Sequence, residues 1–203
     1  MAERLMQQEC SMDLKKAVKD KKQIHTRNIE LATHSVSESE LIVTGKLIDE
    51  RFQKVFDITA KETLPGIIHH MEIYLLIHWD PLRIIKAEAY MPHVPMLQCQ
   101  ETIDVIKKVE GLEIKGGFSK KIKAYMGSVK GCTHLTHLLT VMGQEIVHGW
   151  FTEKRKHKTP VPKSIDQIKE KNFILNSCKL WTEDGPKIRA IKEAIEKRET
   201  GLI

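Results

Sequence analysis

The chain has 203 residues, of which 41% are hydrophobic and 30% are charged, and this composition excludes a disordered or low-complexity protein. Its longest purely apolar stretches, such as Ile73–Ile77, are too short for a transmembrane helix. Met1–Arg27 is charged and lacks the apolar region of a secretory signal. Four cysteines without a Cys-x-x-Cys pair do not indicate a disulfide-stapled secreted fold. We therefore expect a cytoplasmic protein with reduced thiols and no membrane association.

The net charge of +6 belongs mainly to the C-terminal part of the chain. From Glu153 onward, 13 basic and 8 acidic residues give +5, which leaves +1 for the first 152 residues. The basic run Lys154–Lys158 can bind phosphates non-specifically, but we interpret it as a solvated linker. Because the run contains no aromatic residue, it does not indicate a surface for single-stranded nucleic acid.

The first half of the chain predicts a short helix and then strands. Residues 2–22 are rich in helix formers and predict an exposed N-terminal helix. Alternation is clearest over Ile67–His78, where His69 shares one face with large apolar side chains and is therefore predicted to point to the core. The predicted strands are Arg27–Thr33, Leu41–Ile48, Phe52–Ile58, Ile67–His78 and Ile84–Tyr90.

The second half changes to a helical period. Helices are predicted over Gln100–Val109, Phe118–Met126 and Cys132–Val147, the last with an apolar stripe. Strands followed by helices indicate an α+β fold, in which an antiparallel sheet of four or five strands carries the three helices on one face.

The chain is predicted to form one core domain with two extensions. The α+β core spans residues 25–150, an N-terminal helical extension spans 1–24, and a basic linker with a helical appendage spans 151–203. Asp184-Gly185-Pro186 predicts the start of a last helix. These extensions can pack on the core, on a second copy of the chain or on a protein partner.

Gly131-Cys132-Thr133-His134 is the sharpest chemical feature of the sequence. A cysteine at a helix start meets free backbone N–H groups, which stabilise the thiolate that acts as nucleophile or metal ligand. The preceding glycine allows a close approach of the backbone. Because residues two apart on a helix point about 200° apart, Cys132 and His134 can converge only if Cys132 precedes the helix proper.

Other candidates lie at the ends of predicted elements. His25 precedes the first strand, Cys99 follows the last one, and His69 would need partners for both ring nitrogens if buried. Asp49 and Arg51 end the second strand, where a local ion pair is the simplest interpretation. The sequence lacks a Gly-rich phosphate loop, a Gly-x-Ser-x-Gly elbow and His-Glu-x-x-His, so the corresponding enzyme classes find no support.

These segments together resemble a known family. Their order is His25-Thr26-Arg27, Gly45-x-Leu47-x-Asp49, Ile68-His69-x-Met71, Pro95 to Cys99, Gly111-Leu112-x-Ile114, Gly117, and Gly131 to Leu135 followed by Leu138-Leu139. This order is similar to a bacterial family, the domain of unknown function numbered 2889, over about residues 25–147. The family usually has Asp where this chain has His70, and Trp where it has Phe118.

The resemblance brings no activity, but it implies that His25, His69, Cys99, Cys132 and His134 belong to one recurring pattern, with Asp49 as a further member. Our first hypothesis is therefore a Zn or Fe site held by a subset of the five Cys and His residues, closed with four ligands or open and catalytic with three. The alternatives are a metal-independent thiol enzyme or sulfur or acyl carrier, with Cys132 as nucleophile and His134 or His69 as base, and a non-enzymatic assembly or adaptor protein.

Overall fold

The computed structural model describes residues 13–168 and 175–201, and its centre is a four-stranded antiparallel sheet. The strand order is β1-β2-β5-β6, so each strand lies beside its neighbour along the chain, apart from a two-stranded ribbon inserted between β2 and β5. The α+β class predicted from the sequence is confirmed. The strands are β1 (His25–Ser37), β2 (Glu40–Arg51), β3 (Val55–Phe56), β4 (Glu62–Thr63), β5 (Gly66–His78) and β6 (Arg83–His93).

The prediction of a sheet strand over Phe52–Ile58 is wrong, because this segment forms only one side of the small β3–β4 ribbon. Phe56 and Ile58 are exposed, so the alternation has no core to bury against. The Asp57 carboxylate accepts hydrogen bonds from the backbone N–H groups of Thr59 and Lys61, at 2.7 and 3.1 Å. These bonds turn the chain back on itself instead of extending it.

One face of the sheet is buried, as the alternation predicts. In β5 the side chains of Met71, Ile73, Leu75 and Ile77 are fully buried. Ile67, predicted on the same face, is 43% exposed, because the β2–β5 pairing shifts register between Asp49 and Glu50 and places Ile67 beyond the shift.

Three helices join the core on the buried side of the sheet; the first and third pack on strands, and the second packs mainly on the other two helices. The first, Leu97–Val109, is a 3-10 helix, and α2 (Phe118–Met126) has the predicted bounds. The third, α3, runs from Thr133 to Lys154 and extends beyond the predicted end at Val147. The inner side chains of α3 that join the core are Leu135, Leu138, Leu139, Met142, Ile146 and Trp150.

Two glycines let α3 lie close to the sheet. A Cβ at Gly45 of β2 would stand 2.6 Å from Met142 Sδ, and a Cβ at Gly149 of α3 would overlap the side chain of Thr33. From Gly45 to Asp49, two residues before the end of β2, is about 13 Å of strand, and from Met142 back to His134 is about 12 Å of helix. The start of α3 therefore reaches the sheet where β2 ends.

The extensions are helical in part. Of the helix predicted over residues 2–22, residues 2–12 lie outside the described residues, and the described remainder is helical only at α1 (Leu14–Ala17). The last helix, α4 (Pro186–Glu199), begins at the predicted proline and buries Ile188 and Ile195. The division of the chain into a core and two extensions stays a prediction.

The basic run begins on α3 rather than in a linker. The Lys154 ammonium lies 4.9 Å from the centre of the Trp150 ring, and the Arg155 guanidinium lies 5.0 Å from that of Phe151. The first two cations therefore pack on aromatic rings, which the interpretation of the whole run as a solvated linker did not foresee. Among the helices in the described ranges, none combines the length and apolar character needed to cross a bilayer.

Candidate functional site

The site is built around Asp49, whose side chain is only 2% exposed at the end of β2. In the register of the sheet, Asp49 stands opposite Arg27 of β1 on one side and opposite His69 of β5 on the other. Arg27 donates from Nε to Asp49 Oδ1 at 2.6 Å and from Nη2 to Oδ2 at 2.7 Å. His69 Nδ1 lies 3.0 Å from the same Oδ2. Three adjacent strands thus each contribute one side chain.

The expected ion pair between Asp49 and Arg51 is a wrong prediction. Arg51 donates instead to the backbone carbonyl of Leu64, at 3.3 Å. Arg27 takes its place because pairing across β1 and β2 puts it directly opposite the carboxylate. The Asp49 carboxylate is thus paired with Arg27 and not with Arg51.

The helical layer contributes His134, from the first turn of α3. His134 Nε2 lies 3.5 Å from Asp49 Oδ2. Its ring stacks on that of His69, with 3.7 Å between the ring centres and 29° between the planes. Asp49, His69 and His134 each offer a ligand atom, and these three atoms lie within 4.8 Å of one another.

Cys132 lies beside this group, on the other side of the His134 ring. It is the N-cap of α3 and has an extended backbone, with φ −86° and ψ 129°. Because Cys132 precedes the helix, its Sγ comes to 3.8 Å from His134 Nδ1. The sequence predicted that Cys132 and His134 converge only if Cys132 precedes the helix, and this is the arrangement found.

Packing behind Cys132 fixes the start of α3. A Cβ at Gly131 would stand 2.9 Å from both the Met126 carbonyl oxygen and Val105 Cγ1, so the chain passes as closely here as the sequence suggests. The buried hydroxyl of Thr136 lies 2.9 Å from the Met126 carbonyl and 2.8 Å from that of Cys132. It can donate to either oxygen, and it ties the first turn of α3 to the end of α2.

Burial and charge set the protonation of the cluster. Burial opposes ionisation of Asp49, but the hydrogen bonds and positive charge of Arg27, helped by His69, outweigh it and lower the pKa of Asp49 below 3.8. Burial lowers the pKa of His69 below 6.5, although Asp49 acts in the opposite direction. Burial, followed by the charges of His69 and Arg27, also lowers the pKa of His134. A charged carboxylate beside two stacked, neutral imidazoles results at neutral pH.

The structure brings together some of the predicted site residues and leaves others apart. Asp49, His69 and His134 form the cluster, and Cys132 adjoins it. His25 is exposed at the start of β1 and pairs in register with Arg51, while Cys99 packs against the core from the first turn of the 3-10 helix. Neither His25 nor Cys99 belongs to the group of close ligand atoms.

Sequence reasoning missed three residues near the cluster. Arg27 could have been found from its place in the His25-Thr26-Arg27 segment, since an alternating strand that pairs with β2 offers a basic side chain to Asp49. His93 and His137 act electrostatically on His69 and His134, respectively. His137 follows His134 by three residues, a spacing that places both on one side of a helix.

The fold and the site define an α+β protein with a carboxylate–imidazole cluster between its sheet and its longest helix. The chain belongs to the family described as "Protein of unknown function (DUF2889)", whose family model matches residues 25–148. This match confirms the resemblance seen over about residues 25–147. No curated protein and no solved structure matches the chain.

Proposed function

We propose that this protein binds one divalent transition metal ion, Zn²⁺ or Fe²⁺, through Asp49, His69 and His134. The observation that carries the proposal is the group of three ligand atoms from three different elements, all within 4.8 Å of one another. Two imidazoles and one carboxylate are a ligand set that suits both metals.

The distances around Asp49 Oδ2 agree with a shared ion. Ligand atoms about 2.0–2.2 Å from a metal are about 3 Å apart at octahedral angles and about 3.4 Å apart at tetrahedral angles. His69 Nδ1 and His134 Nε2 lie 3.0 and 3.5 Å from Oδ2, respectively. Because the two rings stack with 29° between their planes, one imidazole has to turn before both ring nitrogens point at the same ion.

The protonation of the site also favours a metal. Burial lowers the pKa of both His69 and His134, which keeps the imidazoles in the neutral form that donates to metals. Arg27 holds the Asp49 carboxylate through both oxygens and supplies the outer hydrogen bonds that orient a ligating carboxylate.

Three protein ligands would leave the ion with an open position, which is the arrangement of catalytic rather than structural sites. Cys132 Sγ lies 3.8 Å from Nδ1 of His134, the ring nitrogen other than the Nε2 that faces Asp49, so the thiol would have to move to reach the ion. The number of protein ligands therefore distinguishes a catalytic centre from a structural one. The metal content of Cys132→Ala tests whether Cys132 is one of these ligands.

Elemental analysis of protein purified in metal-free buffer tests the proposal. We expect about one equivalent of Zn or Fe in the wild type and less than about a tenth in His69→Ala and His134→Ala. His70→Ala is the matched control, because His70 is the next residue of β5 and contacts Glu72, at 2.9 Å, rather than Asp49. A wild-type protein with less than about a tenth of an equivalent of any transition metal contradicts metal binding. Equal metal content in Cys132→Ala and the wild type favours the open site.

A second candidate function, nucleophilic chemistry at Cys132 without a metal, is favoured by one specific observation. His134 bridges the thiol and the carboxylate, with Nδ1 3.8 Å from Cys132 Sγ and Nε2 3.5 Å from Asp49 Oδ2. A base between a nucleophile and an orienting carboxylate is the arrangement of thiol enzymes. The thiol would attack the carbonyl carbon of an ester or thioester, or one sulfur of a disulfide, while His134 accepts its proton. The bond to the alcohol or thiol that leaves would break, and His134 would return the proton to that leaving group.

Alkylation with iodoacetamide at neutral pH tests this second candidate in chelator-treated protein. The thiol function predicts that Cys132 reacts much faster than Cys178, which is exposed, and faster than Cys10. It also predicts that His134→Ala removes the difference. Similar rates at the three cysteines of the wild type contradict it.

A further inference from the structure

We propose that the Asp49–His69–His134 centre takes a small anionic ligand, a carboxylate or a phosphate, and that Arg27 binds this anion directly. The inference rests on the proposed metal site and adds the class of ligand that occupies its open position.

The hydrogen-bond donors of Arg27 are only partly used. A guanidinium has five N–H donors, and Arg27 directs Nε and Nη2 to the two oxygens of Asp49. Across residues 13–168 and 175–201, no hydrogen bond of Nη1 is found. The side chain is 39% exposed, so water and small ligands can reach it. Two donors of one guanidinium are therefore available beside the cluster.

The charge around the cluster favours an anion. Arg27 and Asp49 cancel each other, and imidazoles that ligate a metal ion are neutral. A divalent ion would leave an excess of about two positive charges, which a ligand of opposite charge reduces at the least cost.

The positions of the Arg27 guanidinium and the proposed metal ion determine which anions can bind to both. Arg27 Nη2 donates to Asp49 Oδ2, the oxygen that also faces His69 and His134, so the guanidinium and the proposed ion would meet at one carboxylate oxygen. Nη1 is bonded to the same carbon as Nη2, which puts its donors next to that oxygen. An anion with two or more oxygens on one atom can place one oxygen on the metal and direct another to Nη1. Carboxylates and phosphates have this geometry, and a guanidinium binds both well. A neutral ligand would use the metal position but leave the Nη1 donors without a partner.

Acetate titrations of Co²⁺-loaded protein, followed by visible absorption, test the inference. We expect saturable binding to the wild type and about ten- to hundredfold weaker binding to Arg27→Gln, which loses a charge-assisted hydrogen bond. Lys46→Gln is the matched control, because it also removes one positive charge from the sheet but lies at a register position paired with Glu30 and Glu72, away from Asp49. We expect Lys46→Gln to bind acetate like the wild type. Inorganic phosphate, titrated separately, distinguishes the two classes of anion.

A second measurement needs no variant. In Zn²⁺-loaded wild-type protein, the side-chain ¹⁵N resonances of Arg27 should shift as acetate or inorganic phosphate is added, with the same affinity as the optical titration. Equal affinity of Arg27→Gln and the wild type, or resonances of Arg27 that stay unchanged at saturation, overturns anion binding by Arg27 and leaves metal binding intact. A wild type that takes up neither Co²⁺ nor Zn²⁺ overturns the metal site, and this inference with it.

Discussion

Arg27 and Asp49 stand directly opposite each other in β1 and β2, joined by two hydrogen bonds of 2.6 and 2.7 Å. This pairing fixes the plane of a carboxylate that is 2% exposed, while its Oδ2 still lies within 3.0 Å of His69 and 3.5 Å of His134. One residue pair within the sheet thus determines how the carboxylate is presented to the two imidazoles.

Loss of the Asp49 charge should destabilise the fold. Asp49→Asn removes the acceptor of a charged pair whose carboxylate is buried, and we expect the free energy of unfolding to fall by about 2 kcal/mol. Urea denaturation with a chelator present measures this change without a contribution from bound metal. Glu62→Gln removes the partner of Lys54 in an exposed pair and should cost about 0.5 kcal/mol or less. Equal effects of the two substitutions would show that burial adds nothing to the Arg27–Asp49 pair.

Stability and metal binding should both weaken in acid. Since the pKa values of His69 and His134 in the fold lie below 6.5, the unfolded chain takes up protons first, and the free energy of unfolding should decrease as the pH falls below about 6.5. Asp49, whose pKa is lowered below 3.8, adds a second loss as the pH falls below that value. Metal affinity should decline over the first range, because protonated imidazoles do not bind metals.

Urea titrations from pH 8 to pH 3 measure the dependence on pH. A double variant, His69→Gln with His134→Gln, should have a flatter profile between pH 7 and pH 5, with the loss below pH 4 retained. An unchanged slope in the double variant over the upper range would place the titrating groups elsewhere.

Gly131→Ala should disturb the start of α3. The added Cβ would stand 2.9 Å from the Met126 carbonyl oxygen and from Val105 Cγ1, so the backbone has to shift, and we expect a loss of about 1–3 kcal/mol. The shift should also lower metal content, because His134 lies three residues further on. Gly116→Ala is the control, since a Cβ there meets no atom within 4 Å. Thermal unfolding and elemental analysis of both variants check the prediction.

Thr136→Val should loosen the link between α2 and α3. The substitution keeps the shape of the side chain but removes the hydroxyl that lies 2.9 Å from the Met126 carbonyl, and we expect a loss of about 1–2 kcal/mol. Thr140→Val serves for comparison, because Thr140 donates only within α3, to the Thr136 carbonyl, and should cost about 0.5 kcal/mol or less. Urea denaturation measures both. A Thr140→Val variant as destabilised as Thr136→Val would contradict the link to α2.

Periodicity in the sequence predicted the layers of this fold well. The alternation over Ile67–His78 placed His69 on the inner face, and the apolar stripe starting near Cys132 located α3, because both patterns follow from burial of one side of an element. The pattern over Phe52–Ile58 misled because alternation also occurs in exposed ribbons. The predicted end of α3 at Val147 is too early, because the contact that Gly149 makes with Thr33 of β1 is between residues far apart in the sequence and leaves no mark on the local pattern.

The site itself was only partly predictable. The sequence could predict a contact between His134 and Cys132 only on the condition that Cys132 precedes the helix, because the start of the helix decides whether the two side chains point the same way. The partner of Asp49 could not be chosen correctly, since Arg51 is closer in the chain and only the register of β1 against β2 selects Arg27. The separation of His25 and Cys99 from the cluster likewise follows from strand pairing and helix placement, which single-residue patterns do not contain.

His134 lies on α3, whereas Asp49 and His69 lie in the sheet, so the site joins the two layers of the fold. An ion held by all three side chains would cross-link the helical layer to the sheet, and its binding energy would then oppose every fluctuation that lifts α3. Metal release and opening of the protein would be one event. Metal binding should then slow amide hydrogen exchange along the whole of α3, including its C-terminal end at Lys154, which lies far from the ion.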